Sequence, residues 1–172
     1  VQATEANASV IFVPAKFAFD AIYEAIDAKM PLIICVTKGI PLMDMLKIKS
    51  ILRTSSETIL IGPSSPGVLI PGECKVGVIP DDITLPGNVG IVSRSATLLY
   101  EIMYTLKEKG MGVSSCVGLG NDTISGAGLI DMLSLFEQDP DTEKIIVIGQ
   151  IEGKEEEFVA DYITTEMTKP VI

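Results

Sequence analysis

Apolar runs that do not alternate with polar residues, each followed by a stretch of helical period, recur along this chain and limit its fold more than any other feature. Ser9-Val10-Ile11-Phe12-Val13 ends at Pro14, and Phe19, Ile22 and Ile26 then stand at i, i+3 and i+7 of a helix over residues 15–28. Pro31 precedes a second run, Leu32-Ile33-Ile34-Cys35-Val36. Gly39-Ile40-Pro41 opens a second helix with Met45, Ile48 and Leu52 on its apolar face, and Thr58-Ile59-Leu60-Ile61 is a third run. A strand that is apolar on both sides has to be covered on both, which predicts parallel sheets flanked by helices.

From Gly62 to Gly87 the texture changes. Pro63, Pro66, Pro71, Pro80 and Pro86 leave no room for a long helix. This segment reads as a structured connector with short strands, such as residues 75–79, separating two α/β units. The alternation then restarts. Residues 88–92 read as a strand, 95–109 as a helix with Leu98, Ile102 and Leu106 in line, and 112–117 as a strand. Residues 126–138 read as a helix striped by Leu129, Met132, Leu133 and Phe136, and 144–148 as a strand. Residues 153–166 read as a helix with Glu155, Glu156 and Glu157 in its first turn, and 169–172 as the start of another strand. The fold class is α/β, in two incomplete doubly wound parallel-sheet units: residues 1–66, a connector over 67–87, and residues 88–172. A first unit that opens mid-fold on Val1 and a last strand only begun at Ile172 point to part of a longer polypeptide.

The residues absent narrow the chemistry. The 172 residues contain no His, which removes imidazole acid-base catalysis, Ser-His and Cys-His pairs, His-containing metal sites and any phosphohistidine within the chain. Thirteen basic against 23 acidic residues give a net charge of −10, which argues against nucleic acid as a partner. No stretch approaches the roughly 20 apolar residues of a membrane helix. Cys35, Cys74 and Cys116 are odd in number and widely spaced. They read as small buried apolar residues in a reducing compartment, without a disulfide framework or a zinc site.

In open parallel sheets, ligands sit beyond the carboxyl ends of the strands, so each strand-to-helix junction is a candidate. In Val36-Thr37-Lys38-Gly39-Ile40-Pro41, Gly39 admits close approach and Lys38 can neutralise a phosphate, or this is a turn with a solvated lysine. Gly62-Pro63-Ser64-Ser65-Pro66-Gly67 is a rigid loop with two hydroxyls, or a plain connector. Val92-Ser93-Arg94-Ser95-Ala96-Thr97 runs a strand into a helix start whose amides suit an anion, with Ser95 as an ordinary N-cap the alternative. The Gly-rich stretch 117–126 is a weak signal, since GxG spacing alone is common. At 148–153, Gln150 places a polar group at a strand end, and the acidic run after it reads as a solvated face.

Taken together, these segments resemble the α subunit of succinyl-CoA synthetase (succinate–CoA ligase) over nearly the whole chain. Residues 9–15, Gly39-Ile40-Pro41, 71–77, 90–95, 115–118, Asp139-Pro140 and Thr142-Glu143 fall in the family's order and spacing. The resemblance implies the end of a Rossmann-like CoA-binding domain followed by a flavodoxin-like ligase domain cut short at its C-terminus. It implies reversible formation of succinyl-CoA from succinate and CoA through succinyl phosphate and a phosphohistidine. In the family that histidine lies past the position of Ile172, and the CoA phosphate-binding glycine loop lies before Val1. This segment alone is therefore not expected to be active. The cofactors implied are coenzyme A, with ATP or GTP and Mg on a partner β subunit, and the compartment is the mitochondrial matrix or the bacterial cytoplasm.

By position, Val36, Thr37 and Lys38 match the stretch that touches CoA. Ser64, Ser65 and Pro66 match the loop near the thioester and succinyl group. Ser93 and Ser95 match the helix start facing the phosphohistidine, and Tyr100 matches a substrate-site tyrosine beside the β subunit. The chain departs from the family at Lys38 (usually Glu), at Ser64 and Ser65 (Asn-Cys), at Ala96 (Gly) and Leu99 (Thr), and at Gln150 and Glu152. The family glutamate at the position of Gln150 orients and charge-pairs the phosphohistidine; an amide can hydrogen-bond there but supplies no charge. These departures keep two further readings open: a non-catalytic relative with an assembly or regulatory role, and an acyl-CoA synthetase or ATP-citrate-lyase-type domain for another acid.

Overall fold

The computed structural model describes residues 4–55, 57–151 and 155–172. Three parallel strands form the first sheet in chain order: β1 (Ala8–Ile11), β2 (Leu32–Cys35) and β3 (Ile59–Ile61), with Val10 beside Ile34 and Ile34 beside Ile61. Between them run α1 (Ala15–Asp27) and α2 (Leu42–Leu52), capped by Pro14 and Pro41, whose fixed φ suits a helix entry. α1 buries Ala18, Ile22, Ala25 and Ile26, one helical stripe, and α2 buries Met45 and Ile48. Both pack on Ile11, Ile33, Cys35 and Leu60. Successive strand residues face opposite ways. Ile61 and Leu32 accordingly point away from that core and join the second unit's core, with Leu129, Met132, Leu133 and Phe136.

The second sheet holds β4 (Gly67–Ile70), β5 (Cys74–Gly77), β6 (Pro86–Ser93), β7 (Val113–Gly118) and β8 (Lys144–Ile148), in the order β5-β4-β7-β6-β8. β6, β7 and β8 are parallel. The helices are α3 (Ala96–Glu108), α4 (Leu129–Gln138) and α5 (Glu155–Glu166). α3 lays Leu99, Met103 and Leu106 on Leu69, Ile91 and Cys116, while α4 and Val159 of α5 cover the other face.

The alternation of strand and helix and the parallel pairing are as the sequence predicts. The proline-rich segment differs from its reading as a separating connector. It supplies β4 and β5, an antiparallel hairpin that joins the second sheet as β4 pairs antiparallel with β7. Gly67 (φ 109°) and Gly77 (φ 124°) face each other there, and a Cβ on Gly67 would lie 2.1 Å from the Val76 carbonyl oxygen. Only glycine allows the hairpin to close at that point.

α4 also starts later than the predicted 126. The amides of Gly126 and Ala127 donate to the carbonyls of Gly62 and Leu60 at 2.9 and 2.7 Å, so the segment runs beside β3 instead of coiling. Of the predicted helix 153–166, residues 153 and 154 lie outside the described residues. At the far edge, Ile172 brackets β8: its amide donates to Ile145 and its carbonyl accepts from Val147.

The two units are sewn together along β3. Lys49 of α2 donates to the carbonyls of Ser125 and Gly126 at 2.8 and 2.9 Å. A Cβ on Gly126 would stand 2.2 Å from the Leu60 carbonyl oxygen. Gly126→Ala is therefore expected to cost about 2–3 kcal/mol in urea unfolding, because the Leu60 carbonyl and the root of its buried side chain both block the methyl. An unchanged midpoint would show the seam to be loose.

Candidate functional site

The carboxyl ends of both sheets open toward the same region. Ser65 is buried, and its hydroxyl donates to the carbonyl of Gly118, the last residue of β7, at 2.5 Å while accepting the Gly67 amide at 2.9 Å. The next amide, that of Leu119, donates to the Ser93 carbonyl at 2.8 Å. The turns at 62–67 and 93–97 thus hang on two consecutive residues of one strand end. The turn at 36–38 joins them, since the Ser64 and Ser65 amides donate to Thr37 and Cys35 at 3.0 and 3.1 Å.

Within the first turn, Thr37 faces inward. Its hydroxyl donates to the Val13 carbonyl at 2.7 Å, so its side chain ties β2 to the end of β1. Val36 is half-buried. Lys38 and Gly39 are exposed, and Gly39 (φ 73°) has open space where a Cβ would stand. Ser64 is half-buried at φ 58°, a left-handed conformation that asparagine adopts more readily than serine. The Ser65 hydroxyl both donates and accepts in holding the turn, and Pro66 packs over Gly118.

Ser93 is buried and braces the second turn, its hydroxyl donating to the Ser95 carbonyl at 2.8 Å and accepting the Ser95 amide at 2.9 Å. Ser95 caps α3 by accepting the Leu98 amide at 3.3 Å. The amides of Ala96 and Thr97, at the first turn, have no intrahelical acceptor. α3 carries no acidic residue in its first turn, whereas α4 has Asp131 and α5 has Glu155, Glu156 and Glu157. The helix dipole is therefore unanswered at α3 alone among these three. Tyr100 lies one turn further along, half-buried against the core, where loss of water raises its pKa. Leu99 is wholly buried, so its departure from threonine changes the core and not the open face.

Arg94, between the two serines, was not singled out by the sequence reading. It is 8% exposed. Its guanidinium donates to Glu155 at 2.5 Å and to the Asp122 carbonyl at 3.0 Å, while its amide donates to Ile148. Glu155 also accepts the Leu129 amide at 3.4 Å, and Glu156 accepts the Gln150 amide at 2.7 Å. The acidic run is thus no solvated face at its start: two of its carboxylates turn inward to Arg94 and to the loop after β8. Gln150 reaches toward the Asn121 carbonyl at 3.5 Å, and Glu152 lies outside the described residues. A cavity of about 450 Å³ lined by Tyr23, Lys29, Thr54 and Thr58 opens elsewhere, where α1 and α2 end, away from all these turns.

The comparisons with known proteins agree with this layout. A model described as the succinyl-CoA ligase like flavodoxin domain matches residues 86–172, and one described as the CoA binding domain matches residues 1–39. The chain belongs to the succinyl-CoA ligase α-subunit family. It is 49% identical over 172 residues to the succinate–CoA ligase [ADP-forming] subunit alpha of Aquifex aeolicus, covering 99% of this chain and 56% of that protein. It is 48% identical to subunit alpha 2 of the enzyme of the same name from Archaeoglobus fulgidus, covering 100% of this chain and 59% of that protein. This family member therefore spans a little over half the length of these relatives. Among solved structures, ATP citrate lyase from Methanothrix soehngenii in complex with citrate and coenzyme A superposes with a TM-score of 0.88 at 25% identity, over 97% of this chain and 29% of that one. Acetyl-coenzyme A synthetase 1 of Ca. Korarchaeum cryptofilum gives 0.78 at 24% identity, over 96% and 36%, a likeness of fold.

Two outcomes follow from this geometry. Glu155→Ala leaves the Arg94 guanidinium without its carboxylate and the Leu129 amide without its acceptor, and is expected to cost about 2 kcal/mol, against less than about 0.5 for the exposed Glu157→Ala. Matching urea midpoints for the two variants would contradict the clamp. Burial pushes the Cys35 thiol up to about 11 and the Cys116 thiol up to about 12, while Cys74 is exposed. Both buried thiols stay protonated at pH 8, so an alkylating reagent should modify one thiol in the folded chain and three after unfolding.

Proposed function

We propose that this chain is the central part of a succinate–CoA ligase α subunit. In the complete protein, joined to a β subunit, it forms succinyl-CoA reversibly from succinate and CoA, coupled to nucleotide phosphate transfer through a phosphohistidine outside residues 1–172. The observation that supports the reading most is that the turns at 62–67 and 93–97 hang on Gly118 and Leu119, so that the turn matched to the thioester and succinyl loop lies beside a helix start suited to an anion.

In this reading the open space at Gly39 admits the CoA backbone, with Lys38 as a cation for its phosphates. Bound CoA supplies the thiol that becomes the thioester. Ser93 and Ser95 hold the start of α3 so that its first amides face a phosphoryl or carboxylate group. Bare amides are suited to this because they stabilise negative charge without a desolvated cation. Tyr100 borders the acid, and Gln150 offers a hydrogen bond without charge.

Both named relatives are ADP-forming enzymes, which favours ATP over GTP, and they come from a bacterium and an archaeon, which favours the bacterial cytoplasm over the mitochondrial matrix. The closer sequence likeness to succinate–CoA ligases than to ATP citrate lyase favours succinate as the acid. Turnover on succinate, malate, citrate and acetate separates these acids.

The complete chain with its β partner and γ-labelled ATP is expected to acquire acid-labile phosphate, which succinate plus CoA discharges. A complex that never becomes labelled would leave the non-catalytic reading in its place. Lys38→Ala is expected to raise the KM for CoA about threefold, with labelling by ATP unchanged. An unaltered KM would remove Lys38 from the CoA site.

A further inference from the structure

Asp122 sits in the segment between β7 and α4. Its carbonyl accepts from Arg94. Burial raises the pKa of the Cys35 thiol, at the end of β2, and the charge of Asp122 adds to that shift in a smaller way. Its neighbour Asn121 receives Gln150, and Gly120 is pressed so tightly on the Pro63–Ser64 turn that a Cβ there would lie 2.1 Å from the Pro63 carbonyl oxygen. The segment that carries Asp122 is therefore wedged between the turns at 62–67 and 93–97 and the strand end at Gln150.

Asp122 Oδ2 is sealed from solvent and, among the described residues, has no hydrogen-bond partner. Buried acceptors are almost always met, and an unmet carboxylate oxygen is costly. Arg94, the charged donor of this network, is engaged with Glu155 and with the Asp122 carbonyl. The chemistry of the reactants then decides what donor fits. Phosphate and carboxylate groups arrive as anions rich in acceptors, which a carboxylate oxygen repels. A thiol arrives as a donor. Asp122 as a whole is half-buried, with Asn121 and Thr123 on either side exposed, so its carboxylate lies just beneath the surface of this loop.

We propose that Asp122 accepts a hydrogen bond from the thiol at the end of the CoA pantetheine arm and fixes that end between the two turns. The assignment rests on the CoA reading above and deepens it. It makes Asp122 a residue that distinguishes a thiol from the same arm without one.

Calorimetry on the complete chain with its partner tests this with two ligands, CoA and desulfo-CoA, in which hydrogen replaces the thiol. The wild type is expected to bind CoA about tenfold more tightly than desulfo-CoA. In Asp122→Ala the two should bind alike, and the Kd of desulfo-CoA should stay at its wild-type value. Labelling by ATP reports that the variant is folded; if the alanine variant is not labelled, the isosteric Asp122→Asn takes its place and should narrow the CoA preference. A preference for CoA that survives in the folded variant overturns the proposal. So does an equal loss of both ligands, which marks Asp122 as structural. Equal binding of both ligands by the wild type sinks the proposal and leaves the CoA reading standing, whereas a wild type that binds neither sinks both.

Discussion

Two consecutive residues at the end of β7 organise this molecule. The Gly118 carbonyl accepts the buried Ser65 hydroxyl, and the Leu119 amide donates to Ser93. Each bond alone is worth about 1 kcal/mol. Their consequence is positional. β7 lies between β4 and β6, so one end of it can hold a turn from the first unit and a turn from the second. The proline-rich hairpin makes this possible, because pairing β4 antiparallel to β7 carries the chain from Ser65 directly onto the same strand end.

Electrostatics then sort the strand ends. On the proposed reading, a chain of net charge −10 that holds anions cannot rely on its overall field. The start of α3 lacks carboxylates, while the starts of α4 and α5 carry their own. The cation nearest in sequence, Arg94, is neutralised by Glu155 and works as a brace. What remains facing outward at α3 is peptide amide, and at the turn after β2 a glycine and the exposed Lys38.

Much of this was legible in the sequence. Strand and helix positions followed from unbroken apolar runs and i, i+3, i+7 spacing, since burial on both faces leaves that mark. The hairpin was only half legible: residues 75–79 carry a strand signal, while the partner at 67–70 is hidden among prolines and glycines. The shortened α4 was not legible, because the amides of Gly126 and Ala127 are taken by β3, a contact with no local signature. At the site, the turns were found by their position at strand ends. The inward commitment of Thr37 and Ser65, the Arg94–Glu155 clamp and the unmet oxygen of Asp122 depend on which distant segments meet, and no spacing encodes that. Arg94 between two small hydroxyl residues was the one available hint.

The account stands on the two turns forming one ligand surface at the carboxyl ends of the strands. Amide resonances of the complete protein with the proposed β partner, titrated with CoA and then phosphate, measure this directly. The account predicts that CoA shifts Lys38, Gly39 and Ser64, and that phosphate shifts Ala96 and Thr97 in the same molecule. Shifts confined instead to Tyr23, Lys29 and Thr54, around the cavity where α1 and α2 end, would contradict it.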